Sequence, residues 1–132
     1  MPDVPAGCHQ DADVKSTILL VEDELLVRWM LAEEFRNAGF QVIEAANSEE
    51  ALSVLRTSVP VGLLMTDVFM PGEMDGVALA RWARNARPEL KIVIGSAFSR
   101  SSVPERMADL VVMKPYDVEA MLRDVRALLG NR

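Results

Sequence analysis

From Thr17 onward, short apolar runs alternate with longer segments whose apolar residues recur at helical spacing, and that alternation leaves few folds open. Thr17-Ile18-Leu19-Leu20-Val21 reads as a buried strand. A helix from Glu24 to Ala38 follows, with Leu26, Met30 and Ala38 at helical spacing, and Gly39 stops it. Gln41 to Ala45 reads as a second strand, after which Asn47, with Glu50 three residues on, caps a helix through Ala51, Leu52 and Leu55. Val61 to Thr66 is a third strand. The helix expected from Gly76 to Ala86 places Val77, Leu79, Ala80 and Ala83 on one side, and Lys91 to Gly95 and Leu110 to Met113 supply two more strands. Asp117 caps a last helix striped by Ala120, Met121, Val125, Leu128 and Leu129. Strands apolar on both faces and separated by helices require a parallel sheet covered on both sides, so the expected fold is α/β, a doubly wound five-stranded parallel sheet. The stretch 97–113 is too short for a loop, a full helix and the lead-in to a strand, and Pro104 interrupts it. The fourth helix is therefore expected to be shortened or missing.

A chain of 132 residues has room for one domain. Residues 1–16 hold Pro2, Pro5, Gly7, Asp3, Asp11 and Asp13 without any hydrophobic period and are expected to form a disordered N-terminal tail, leaving 17–132 as the folded body. Twenty acidic residues against fourteen basic ones give a net charge of −6, which repels nucleic-acid backbones and favours protein partners over direct DNA binding. The one cysteine, Cys8, has no partner for a disulfide, and with His9 it falls short of the ligand number a metal site needs. No stretch resembles a signal peptide or reaches the ~20 apolar residues that span a bilayer, so a cytoplasmic protein without membrane contact is expected. Trp29, Trp82 and the eight methionines read as packing residues of the core and helix faces.

In a doubly wound sheet the ligand lies beyond the C-terminal ends of the strands. The residues there are Glu22-Asp23 after the first strand, Asp67 after the third, Ser96 after the fourth and Lys114 after the fifth. Two like charges ~4 Å apart repel by ~4 kcal/mol at an effective dielectric of ~20, so three carboxylates in one pocket need cations. Lys114 supplies one. A hard divalent ion such as Mg²⁺, which takes carboxylates, waters and phosphate oxygens, answers the rest. Metal-assisted phosphoryl chemistry is the reading that this set of side chains supports.

The order and spacing of Glu22-Asp23, the segment Leu63-Leu64-Met65-Thr66-Asp67-Val68-Phe69-Met70-Pro71-Gly72, Ser96-Ala97 and Lys114-Pro115 resemble response-regulator receiver domains, from about Thr17 to Leu129. The resemblance implies a flavodoxin-like sheet of strand order 2-1-3-4-5 and phosphorylation of Asp67. It further implies direct Mg²⁺ (or Mn²⁺) binding by Asp23 and Asp67, Glu22 acting directly or through water, and the backbone carbonyl of Phe69 completing the metal shell. Lys114 and Ser96 would meet phosphoryl oxygens, and the Lys114-Pro115 bond would be cis. The implied partners are a histidine kinase or histidine phosphotransfer protein as donor and a downstream protein target reached by contact, with no output domain expected after Leu129. Two alternatives remain at this point. One is a receiver-like binding module that is never phosphorylated. The other is an aspartyl-nucleophile phosphatase, which wants a second Asp where Phe69 stands.

The chain departs from the family pattern in the loop after the third strand, at Val111 and in the shortened fourth helix. Gly72-Glu73 lengthens the loop after the third strand, and Val111 stands where an aromatic residue often rotates. The resemblance puts Phe69 and Phe98 beside the path of attacking water, which neither could orient, so slow loss of phosphate is expected. Ser99 to Asp109, with Val103, Met107 and Ala108 as its apolar anchors, is expected to be the loosest segment and the one most altered by phosphorylation.

Overall fold

The computed structural model describes residues 16–70, 72, 74–97, 103 and 107–130. Each apolar run expected to be a strand is one: β1 (Thr17–Val21), β2 (Gln41–Ala45), β3 (Leu63–Asp67), β4 (Lys91–Ser96) and β5 (Leu110–Met113). The helices are α1 (Leu25–Asn37), α2 (Ser48–Leu55), α3 (Gly76–Ala86) and α4 (Val118–Leu128). All pairings are parallel and the order is β2-β1-β3-β4-β5, the flavodoxin-like arrangement. β3 starts two residues later than expected and takes in Asp67 as its last residue.

Local chemistry explains where the helices begin. Asn47 accepts the amide of Glu50 at 2.8 Å while the Glu50 carboxylate takes the Ala46 amide at 2.7 Å, so two amides at the start of α2 are satisfied by side chains. Asp75 and Asp117 accept from Ala78 and Ala120 in the same way at the starts of α3 and α4. Gly39, at φ +100°, turns the chain out of α1 through a conformation that other residues rarely adopt.

Neighbouring side chains on a strand point to opposite faces, so each strand feeds two cores. Ile18 and Leu20 join Leu31, Ala32, Phe35, Met121 and Val125 beneath α1 and α4. Leu19 and Val21 join Ala51, Leu52, Leu79 and Ala80 beneath α2 and α3. Phe35 meets Phe40 edge-on, ring centroids 5.9 Å apart. Fully burying a side chain of this size contributes about 1.5–3 kcal/mol, and among the described residues Ile18, Leu19, Leu64 and Ile92 are also wholly buried, so the sheet is held mainly by burial on both faces.

One helix docks by a different face from the one expected. Leu26 is 79% exposed and Met30 is also exposed; α1 rests on Leu31, Ala32 and Phe35 instead. Trp29, read as a packing residue, is 59% exposed on the same outward face. Trp82 does pack, with the Arg56 guanidinium 5.7 Å from its ring centroid.

No helix stands between β4 and β5 among the described residues. Val103 is buried there, and Met107, Ala108 and Val111 pack on the core under α2 and α3. Most of Ser99 to Asp109 lies outside the described residues, as do Phe98 and the expected tail apart from Ser16. Of the lengthened loop, Gly72 has φ +116°, while Pro71 and Glu73 lie outside the described residues.

At the end of the sheet where strands begin, arginines tie the chain together. Arg87 donates to the carbonyls of Leu55, Thr57 and Val59 at 2.8 to 3.0 Å. Arg84 donates to the Leu90 carbonyl at 3.1 Å and to Asp109 at 2.8 Å, and Asp109 also accepts the Ile92 amide. Among the described residues no helix is long and apolar enough to cross a membrane.

Candidate functional site

The strand register brings the singled-out residues together. Asp67 lies opposite Gly95, Ser96 opposite Met113, and Val21 opposite Thr66, so the residues that end β1, β3, β4 and β5 crowd one edge of the sheet. Backbone bonds carry the pairing past the strand ends: Val68 N–H donates to the Gly95 carbonyl at 3.1 Å and Lys114 N–H to the Ser96 carbonyl at 2.8 Å. Glu22 is fixed through its own main chain. Its N–H donates to the Ala45 carbonyl, and its carbonyl accepts Arg28, whose guanidinium also pairs with Glu44.

Glu22, Asp23 and Asp67 each offer a carboxylate oxygen, and these oxygens all lie within 4.8 Å of one another. Glu22 is only 2% exposed and Asp67 5%, whereas Asp23 is open to solvent. The Lys114 ammonium sits 2.8 Å from Asp67 Oδ1. Burial, followed by its hydrogen bond to Asp67, pushes the Glu22 carboxyl up to about 8; the Glu24 amide, which donates to Glu22 at 3.1 Å, opposes that rise. Burial alone would lower the Lys114 ammonium, but its bond to Asp67 and the charges of Asp67, Glu22 and Asp23 leave it above its ordinary value. Burial and the Asp67 charge both disfavour a negative charge on Glu22, which a cation bound between the two would offset. Three oxygen donors at this spacing, one of them open to water, suit a hard divalent ion of the Mg²⁺ or Mn²⁺ kind.

Ser96 is buried at the end of β4, beside Lys114 in the ladder. Phe69, two residues past Asp67, turns its ring outward and is 64% exposed. The Lys114-Pro115 bond is cis, as the resemblance implies.

Sequence reasoning missed two residues of this site. Tyr116 donates its hydroxyl to Asp67 Oδ1 at 3.3 Å, and its phenol is pushed upward by burial and by the Asp67 and Glu22 charges. Gly76 begins α3 so close to β3 that any Cβ there would collide with the Asp67 carbonyl, and its N–H donates to the Val68 carbonyl at 2.9 Å. A glycine inside the apolar strand β4, Gly95, was the available signal for Tyr116, because such a glycine often marks the close approach of another group.

Residues 18–126 match the model of the response regulator receiver domain family. The receiver protein CpdR of Brucella abortus is 34% identical over 116 residues, which cover 85% of this chain and 95% of CpdR. Sensor kinase CckA of the same organism is 32% identical over 92% of this chain, a match that spans only 13% of the kinase. The response regulator TrrA of Thermotoga maritima, solved in complex with Mg²⁺-BeF, superposes with a TM-score of 0.78 at 32% identity, over 86% of this chain and 98% of TrrA. Sheet order, the acidic cluster with its lysine, and a family match over most of the folded body agree: the chain belongs to the response regulator receiver domain family.

Proposed function

We propose that this receiver takes a phosphoryl group on Asp67 from a histidine kinase or a histidine phosphotransfer protein, in a reaction that needs Mg²⁺ or Mn²⁺, and passes the signal on by protein contact. The observation that carries the reading is the buried Asp67 carboxylate, held 2.8 Å from Lys114 Nζ and within 4.8 Å of the Glu22 and Asp23 oxygens. An Asp67 oxygen attacks phosphorus, the P–N bond of the phosphohistidine breaks, and the imidazole leaves with the electron pair. Phosphoryl transfer asks little covalent work of a protein, so positioning and charge neutralisation are most of the catalysis.

The bound metal ion would offset charge on the phosphoryl oxygens. Asp23, Asp67 and Glu22 would hold it, with the Phe69 carbonyl as a further ligand. Lys114 meets a phosphoryl oxygen from the β5 side, and the Ser96 hydroxyl donates to another after transfer. An apolar platform beside the site supports a protein as the donor. Leu25, Leu26 and Trp29 are exposed on α1, and a cavity of about 220 Å³ lined by Glu24, Val27, Met30, Lys114, Pro115 and Tyr116 leads from that helix to the lysine.

The test is incubation with acetyl phosphate and Mg²⁺ followed by intact mass. The wild-type chain gains one phosphoryl group and Asp67→Asn gains none; a wild-type chain that stays unmodified removes the proposal.

A further inference from the structure

The roles assigned above leave Tyr116 unused, although it touches the reacting carboxylate. We infer that Tyr116 is a positioning residue for phosphoryl transfer: its hydroxyl and the Lys114 ammonium converge on Asp67 Oδ1 and hold the carboxylate in one orientation for attack.

The inference rests on the proposed function and adds a residue to it. The last torsion of an aspartate is broad and roughly two-fold, so a carboxylate at a strand end is oriented only by the groups around it, which for Asp67 are Glu22, Lys114 and Tyr116. Lys114 reaches Asp67 along a flexible four-carbon chain and fixes a distance better than an orientation. Tyr116 brings its donor on a rigid ring. That ring is itself held: Lys114 Nζ lies 5.9 Å from its centroid, and the phenol end sits against the backbone of β4.

Gly95 is the independent observation. It is the register partner of Asp67, within a strand paired on both sides, where a residue without a side chain weakens the strand. A Cβ at that position would collide with the Tyr116 hydroxyl oxygen and stand 3.1 to 3.2 Å from two ring carbons. The missing side chain therefore makes the space in which the phenol reaches Asp67. Gly95 and Tyr116, twenty-one positions apart in sequence, form one device.

The experiment compares wild type and Tyr116→Phe in time-resolved phosphorylation by acetyl phosphate at saturating Mg²⁺, read by intact mass. Loss of the hydroxyl alone should lower the maximal rate roughly tenfold. The half-saturating acetyl phosphate concentration, the Mg²⁺ dissociation constant and the melting temperature should stay at wild-type values; a merely structural role of the ring, which phenylalanine keeps, would leave the maximal rate unchanged as well. Gly95→Ala should slow the reaction similarly and also lower the melting temperature, because the ring must move. In Gly95→Ala/Tyr116→Phe the atom in nearest conflict is gone, so melting temperature recovers in part while the rate does not. A Tyr116→Phe rate equal to or above wild type overturns the inference, as does a rate loss that merely follows loss of folded protein. Wild type that takes up no phosphoryl group defeats the proposed function and this inference together; an active wild type with an unchanged Tyr116→Phe defeats the inference alone.

Discussion

Metal affinity should climb steeply between pH 6 and pH 8, with Glu22 as the responsible group. Its carboxyl is 2% exposed and pushed up to about 8, by burial first and then by Asp67. A cation binds the ionised carboxylate, so a proton on Glu22 competes with it. With a value near 8, about 1% of metal-free molecules have Glu22 ionised at pH 6 and about half at pH 8, which tightens metal binding roughly fiftyfold over that window. The sign agrees with the stability of the metal-free fold. A carboxyl raised on folding contributes stability that is present below its ordinary value of 4.5 and is lost as pH rises through about 8. Stabilisation by Mg²⁺ should accordingly grow with pH while the metal-free melting temperature falls. Isothermal titration at pH 6, 7 and 8, in buffers of differing ionisation enthalpy, reads both the affinity and the protons released. Glu22→Gln should bind more weakly and with a flatter pH profile. An affinity that hardly changes between pH 6 and 8, or an equal slope in Glu22→Gln, refutes the reasoning.

Lys114→Ala should keep metal binding largely intact, because the lysine pairs with Asp67 rather than belonging to the carboxylate set, yet slow phosphorylation by roughly 10²-fold through loss of a preorganised positive charge. Abolished metal binding in that variant would show the lysine to be misassigned. Gly76→Ala drives a methyl group into the Asp67 carbonyl and should cost about 1–3 kcal/mol, the usual range for overpacking. Urea denaturation measures it, and an unchanged midpoint would contradict the close approach of α3 to β3.

The sheet was legible because its inner strands β1, β3 and β4 are apolar on both faces and because capping residues such as Asn47 and Asp117 mark the helix starts, their bonds to Glu50 and Ala120 forming as their spacing requires. The face of α1 was not. Leu25, Leu26, Val27, Trp29, Met30, Leu31 and Ala32 put apolar side chains all round its first turns, so periodicity cannot choose the buried side. Phe35 and Phe40 settle the matter in three dimensions by anchoring the C-terminal half, which leaves the N-terminal face outside. In the site, the acidic residues and Lys114 could be read from their places at strand ends. Tyr116 could not, since an aromatic residue after Lys114-Pro115 looks like ordinary packing until the empty space at Gly95 is seen beside it.

The arginine ties at the far end of the sheet have a mechanical consequence. Arg87 binds three carbonyls there, Arg84 joins the Leu90 carbonyl to Asp109, and the Gly62 amide and carbonyl link the starts of β1, β3 and β4. The strands thus resemble beams clamped at one end. Deflection of a clamped beam grows with distance from the clamp, and the far ends here carry Asp67, Ser96 and Lys114. A push of given size at the tips tilts the loops around them and leaves the clamped end at rest. That end is the fixed frame against which a partner touching both ends would measure the movement.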